Sequence, residues 1–298
     1  MKKYIDKPYK YPIDIELTSR CMLDCIWCIH WKRKDIWDMS LETFRKVLNF
    51  ISLNKENINY IALAWIWESL LNKDILLFLD ELKNFKWMWF IIPTKWWNLL
   101  TDGIIKKIQE LRDSWVNITL QLWLYSLRRE VIKKMYGVNN NSSIDYYDTL
   151  MDSIKRMKKH RFDFCMELLL TKYSIKEVAS YKKFCEILEV DFVIHRLHNF
   201  WWKLDNYEKL YVKWETDPFY NYNWMCWFKP FFNWEGKVFP WSLCMHYELW
   251  NIDDYNHKDW MVKLLNNCYD IINLKNKFCS KCDENLLNVR TKIIESKK

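Results

Sequence analysis

The chain has 298 residues, 50% apolar and 28% charged, and a formal net charge of +8. That length suits one large domain, or a core with a smaller companion, and the composition excludes a disordered or collagen-like chain. No apolar run reaches the roughly eighteen residues of a membrane-spanning helix. The basic start "MKKYIDKPYKYPIDIEL" has no apolar signal core, so a cytoplasmic location and no membrane contact are expected. The lysines are scattered among acids, as in "KKIQELRD", and no arginine-rich stripe stands out. This weighs against nucleic acid as a partner.

Strand-like and helix-like segments alternate from the N-terminus onward. "IDIEL" (13–17) alternates apolar and polar residues and reads as a first strand. "SLETFRKVLNFI" (40–51) opens on a serine N-cap and has helical spacing. "INYIAL" (58–63) and "DILLFLDELKNF" (74–85) form the second strand and helix. "MWFIIP" (88–93) is followed by a helix within 101–113. "VNITLQL" (116–122) is followed by a helix over 144–160. "DFCMELLL" (163–170) is followed by a helix over 174–188, and "VDFVIHRL" (190–197) is a sixth strand. Six such units in series predict an α/β fold, a partial (β/α)6 TIM-type barrel with helices outside. In such barrels the chemistry sits at the C-terminal ends of the strands. After His198 the pattern breaks into an aromatic, irregular stretch. The predicted organisation is a core barrel over 1–198, a linker over 199–222, and a small cysteine-rich C-terminal domain over 223–298.

Ten cysteines without an export signal point to metal rather than disulfides. Cys165 and Cys185 lie in apolar segments and read as small packed thiols. "TSRCMLDCIWCIHW" places Cys21, Cys25 and Cys28 just after the first strand. Three thiolates on one loop can hold three corners of an iron–sulfur cube and leave one iron open. Structural zinc, with His30 as fourth ligand, is the alternative. Asp24, inside the loop, reads as a turn residue.

The strand before this loop, the βα series after it and Trp27 before the last cysteine together resemble the radical S-adenosylmethionine (SAM) superfamily over roughly residues 10–200. The resemblance implies a [4Fe–4S] cluster on Cys21, Cys25 and Cys28 whose open iron binds SAM. It implies reductive cleavage of SAM to a 5′-deoxyadenosyl radical that abstracts a substrate hydrogen. It also places Trp27, the 65–68 stretch with Glu68, Thr94 and Gln121 near SAM, and requires a reducing donor such as ferredoxin or flavodoxin. His195 and Arg196 end the sixth strand, where they could touch SAM or substrate or pair with an acid.

In the C-terminal part, Cys226, Cys244 and the "FCSKC" pair Cys279 and Cys282 can close a four-thiolate site, again with zinc as the alternative. Beside such a core, this segment resembles the SPASM and shorter twitch extensions, with "NWEGKV" as their hairpin and Gly236 in its turn. The resemblance implies one auxiliary [4Fe–4S] cluster. The fit is partial: a cysteine common in that family five residues after the glycine is replaced by Trp241, with Cys244 beyond it. Cys268 reads as a packed thiol. Peptide or protein modification is the leading implied activity, with a small-molecule substrate, as in twitch-type dehydrogenation, as the alternative. A non-catalytic zinc-binding module is the reading from a different class.

The chain has 3 Gly and 20 Trp. Ordinary usage would supply roughly 21 glycines in this length. Trp65 and Trp67 stand where the family has glycines beside SAM, before Glu68. Trp96, Trp97, Trp234 and Trp250 likewise stand where glycine is expected. The expectation is that most of these tryptophans are UGA codons that the host reads as glycine, Trp27 being the exception.

Overall fold

The computed structural model describes residues 10–28, 36–63, 68–94, 100–137, 145–197, 207–212, 230–239, 248 and 250–254. Six strands run parallel in chain order: β1 (Tyr11–Ile15), β2 (Ile58–Ala62), β3 (Trp89–Thr94), β4 (Asn117–Trp123), β5 (Phe164–Leu170) and β6 (Asp191–Arg196). Their crossovers carry α1 (Leu41–Leu53), α2 (Ile75–Glu81), α3 (Asp102–Asp113), α4 (Arg129–Met135), α5 (Tyr146–Lys159) and α6 (Val178–Leu188). The parallel βα series agrees with the reading of the sequence. That reading missed α4, although its Val131, Ile132 and Met135 bury one face at helical spacing.

Helix α1 shows how sequence fixes an element. Ser40 caps it by accepting the Thr43 amide at 3.0 Å. Phe44, Val47, Leu48 and Ile51 then recur on one buried face. Each contributes roughly 1.5–3 kcal/mol relative to exposure. Along the strands, Ile13 and Ile15, Phe90 and Ile92, Leu120 and Leu122, and Met166 and Leu168 are buried together in the core that these helices cover. The alternate residues form the other face of the sheet, and there the chemistry differs. Asp14, Gln121 and Glu167 occupy that face.

The sheet continues beyond β1. A hairpin of β7 (Phe231–Phe232) and β8 (Lys237–Phe239) is followed by β9 (Trp250–Asn251), giving the order β6-β5-β4-β3-β2-β1-β7-β8-β9. Strand β7 lies parallel to β1. The Asp14 amide donates to Pro230 O at 3.0 Å and the Glu16 amide to Phe232 O at 2.8 Å. The hairpin therefore extends the core sheet. Phe50 of α1 packs against Phe232 and Trp250, with centroids 5.3 and 5.5 Å away. Gly236 in the hairpin turn has φ +77°, and a Cβ there would come within 2.4 Å of Ile252. Within the sequence-predicted linker, α7 (Tyr207–Leu210) docks on the core, where Leu210 O accepts the Lys172 amide at 2.9 Å.

Among the described residues, three non-glycine positions have positive φ: Trp115, Arg161 and Glu189. Trp115 follows α3 in a Schellman turn. Its amide donates to Arg112 O at 2.8 Å, and the Val116 amide to Leu111 O at 3.0 Å. Its φ is 67° and its side chain is 80% exposed, so the indole gains almost no burial where the backbone favours glycine.

Candidate active site

The cysteine loop leaves β1 at the C-terminal rim of the sheet and is held closed at its base. Thr18 Oγ1 donates to Asp38 Oδ1 at 2.5 Å, and Arg20 reaches the same carboxylate through Nε and Nη2 at 3.1 and 2.8 Å. The Ser19 amide donates to Trp37 O at 2.9 Å, and the Trp37 amide returns to Ser19 Oγ at 2.9 Å. Burial opposes the Asp38 charge, but the Arg20 and Thr18 hydrogen bonds outweigh it and hold the carboxyl below its ordinary range.

Within the loop, the Cys28 amide donates to Cys25 O at 2.9 Å, a tight turn that brings these two residues together. Cys25 and Cys28 are buried and Cys21 is half-buried, and none of the three forms a disulfide with another described residue. Helix α4 supports them. The Ile26 amide donates to Met135 O at 3.1 Å, and Gly137, at φ +64°, lies so close that a Cβ there would fall 1.9 Å from Asp24 O. Among the described residues, no three Cys, His, Asp or Glu side chains are grouped to hold a single metal ion.

Trp27 is buried under the loop. Its ring stacks on Trp123 at 6.4 Å and meets Tyr125 edge-on at 5.2 Å. Tyr125 also packs edge-on against Tyr136 at 5.1 Å. Burial pushes the Tyr125 phenol far above its usual pKa, with Cys25, Tyr136, Cys28 and Cys21 adding to the rise.

The second rim segment is tied to the first. The Glu68 amide donates to Arg20 O at 3.0 Å, and the buried Glu68 carboxylate accepts the Leu70 amide at 3.4 Å. Ser69 Oγ donates to Leu63 O at 2.6 Å, and Asn72 Nδ2 donates to Leu17 O at 2.6 Å. Glu68 thus stands beside the cysteine loop. Thr94 is buried at the end of β3 on the same face as Phe90 and Ile92. Gln121 lies mid-strand on the opposite face of the sheet.

Gln121 does not stand alone there. It donates to Oε1 of Glu167, and His195 Nε2 lies 2.8 Å from the same oxygen. Glu167 is fully buried, and its Oε2 has no hydrogen-bond partner among the described residues. His195 rests against Trp123 with ring centroids 4.9 Å apart. Aromatic contacts therefore connect Trp27, beneath the cysteines, with this polar cluster inside the sheet. The sequence reading missed Glu167. Its signal is one acid within the otherwise apolar "FCMELLL". Arg196 is the last residue of β6.

A cavity of about 940 Å³, with Tyr60, Trp89, Thr119, Gln121, Cys165 and Asp191 among its lining residues, extends toward the N-terminal ends of the strands. Burial, then Glu167, pushes the Cys165 thiol up to about 12, and burial does the same for Cys185. Both stay protonated near neutrality, as expected for packed thiols. Trp65, Trp67, Trp96, Trp97, His30, Cys226, Cys244, Cys268, Cys279 and Cys282 lie outside the described residues.

Residues 15–185 match the family described as the Radical SAM superfamily. No curated protein matches the chain. Among solved structures, Streptococcus suis SuiB bound to precursor peptide SuiA is similar with a TM-score of 0.68 and 15% identity, over 95% of this chain and 72% of that one. Native anSMEcpe with bound AdoMet and Cp18Cys peptide is similar at 0.61 and 16%, over 91% and 86%. BtrN in complex with AdoMet and 2-DOIA is similar at 0.58 and 15%, over 92% and 93%.

Proposed function

This chain belongs to the radical SAM superfamily, and from that membership we propose an enzyme that cleaves SAM reductively and uses the resulting radical to take a hydrogen from a peptide. The observation that carries this reading is the position of Cys21, Cys25 and Cys28 on one loop at the C-terminal rim, where the Cys28 amide turns back to Cys25 O and the Glu68 amide is bonded to Arg20 O. Three soft thiolates on one short loop suit an iron–sulfur cluster with one open iron. Such a cluster, when bound, supplies the single electron that breaks the SAM carbon–sulfur bond.

The chain's own residues do the rest. The Arg20–Asp38 clamp and Gly137 fix the loop. Trp27 closes its underside against Trp123 and Tyr125. Glu68 and the 65–68 segment receive the methionyl end of SAM, and Thr94 and Gln121 lie on the strands next to it. Glu167, steadied by Gln121 and His195, presents its second carboxylate oxygen on the inner face of the sheet for a hydrogen-bond donor of the bound substrate.

The peptide reading draws support from SuiB and anSMEcpe, whose structures carry peptides. A small-molecule substrate is the second reading. BtrN, bound to 2-DOIA, supports it, since this chain spans 93% of that protein. In either case Cys226, Cys244, Cys279 and Cys282 hold one auxiliary [4Fe–4S] cluster, and a ferredoxin or flavodoxin supplies electrons. Anaerobic reconstitution tests the core of the proposal. About eight iron and eight sulfide per chain, with SAM cleaved under strong reductant, is the expected result. Colourless protein carrying only zinc would refute it.

The same reading includes the coding of the chain. Most tryptophans at glycine positions are UGA codons read as glycine by the host. Trp115, in a left-handed Schellman turn with an exposed indole, supports this. Trp234 and Trp250 do not share that backbone conformation. Trp234 stacks on Trp37 at 3.9 Å, and Trp250 packs against Phe50. UGG codons at 65, 67, 96, 97 and 115, or an intact native mass retaining the indoles, would sink the idea.

A further inference from the structure

Tyr125 stands two residues beyond the end of β4, one residue before a tightly fixed turn. Ser126 Oγ donates to both oxygens of Glu177 at 2.7 Å, and the Leu127 amide and Arg128 Nε donate to the same carboxylate at 2.7 and 3.0 Å. On the other side, Tyr136 Oη donates to Trp123 O at 3.0 Å, and its ring packs against Tyr125. Trp27 meets the remaining edge. With Trp123 at 6.0 Å, the ring is held by three aromatic neighbours and cannot turn without disturbing them.

The hydroxyl at its tip is fully buried and has no hydrogen-bond partner among the described residues. Leaving a buried hydroxyl unpaired costs about 1–3 kcal/mol, so native structures pair such groups unless another species serves them. Trp27, whose ring meets Tyr125 edge-on at 5.2 Å, lies in the turn between Cys25 and Cys28, so Tyr125 packs directly beneath the cysteine loop. A phenol is a hydrogen-bond donor at neutral pH, and thiolates and sulfides are acceptors.

We propose that Tyr125 donates its hydroxyl hydrogen to a sulfur of the cluster held by Cys21, Cys25 and Cys28, and so raises the cluster's reduction potential. The inference rests on the reading that these cysteines bind a [4Fe–4S] cluster. Reduction adds negative charge to the cluster, and a donor aimed at sulfur stabilises that charge more in the reduced state. Hydrogen bonds to sulfur are among the protein's main controls on such potentials. Tyr125 is a positioning and tuning residue here; it need not touch SAM or substrate.

The test is Tyr125→Phe in the full chain, reconstituted anaerobically without SAM and titrated while the reduced cluster is followed by electron paramagnetic resonance. The variant keeps the ring against Trp27 and Tyr136 and removes only the hydroxyl. The expected result is wild-type iron and sulfide content with a midpoint shifted to more negative potential. Tyr181→Phe is the control. Tyr181 also has a buried hydroxyl without a hydrogen-bond partner among the described residues, but it lies on α6 with its ring against Phe192. It should leave the midpoint unchanged. If Tyr125→Phe does not load, 3-fluorotyrosine at 125 keeps ring and donor, and should move the midpoint the opposite way. An unchanged midpoint in a fully loaded variant overturns the inference. So does a shift seen only after SAM is added, which would assign the donor to SAM. Wild-type protein that takes up zinc and no iron overturns the site reading as well.

Discussion

The backbone amide of Glu68 donates to the carbonyl of Arg20 at 3.0 Å. This bond joins the segment after the second strand to the residue just before the first cysteine. Glu68 and the base of the cysteine loop are therefore one mechanical unit, and changes in either should register in both. The clamp on Asp38 is the accessible handle on that unit.

Asp38→Asn removes the charge that Arg20 and Thr18 grip. At neutral pH it should cost about 0.5–1.5 kcal/mol and speed iron loss from reconstituted protein. The folded-state pKa of Asp38 is lowered, so the stability it adds is present above the unfolded value of about 3.9. That stability is lost as pH falls through the lower folded value. Thermal melts of wild type and variant should therefore begin to converge below roughly pH 4 and meet below the lowered folded value. A gap that persists in acid would show that the charge is not what matters.

Two glycines predict opposite outcomes. At Gly137 a Cβ would overlap Asp24 O, and the backbone is left-handed. Gly137→Ala should cost more than about 1 kcal/mol and reduce iron uptake. At Gly103, in the first turn of α3, the atoms nearest to an added Cβ would be 3.9 Å away. Gly103→Ala should be neutral or stabilising by up to about 1 kcal/mol. Denaturant melts with iron counts on both variants check the pair.

Trp115→Gly should stabilise the chain as written by about 1 kcal/mol, because it relieves a left-handed L-residue and removes an exposed indole. Trp27→Gly should do the reverse, opening a cavity between Trp123 and Tyr125. Equal losses in both variants would contradict the reading of Trp115.

Glu167→Gln keeps the volume but removes the charge shared by Gln121 and His195. The expected effect is a loss of about tenfold or more in product formed per SAM cleaved, the size of one lost charge-assisted hydrogen bond. SAM cleavage itself should persist. Parallel assays of 5′-deoxyadenosine and product separate the two. Equal loss of both would move Glu167 from the substrate to the SAM side of the site.

The parallel core was legible because its signals are local. Strands such as "VNITLQL" and helices such as "SLETFRKVLNFI" declare their period within one window. Cys21, Cys25, Cys28 and Trp27 were legible because one short loop contains them. Glu167 was not, because its partners Gln121 and His195 lie on two other strands, and only the sheet's register brings them together. The same holds for Gly137, whose meaning depends on Asp24 more than a hundred positions earlier, and for Tyr125. Among apolar neighbours Tyr125 reads as core, and only its buried hydroxyl, on a ring packed against Trp27 of the cysteine loop, marks it as more.

The pairing of β7 with β1 has a consequence for how the chain is made. Phe231, the partner of Asp14, leaves the ribosome more than two hundred residues after it. Until then β1, which carries the cysteine loop, has one open edge, and contacts this distant in sequence form slowly. The strand that leads into the cysteine loop is thus completed last, so a nascent or truncated chain ending before Phe232 would leave that edge free to pair with another molecule.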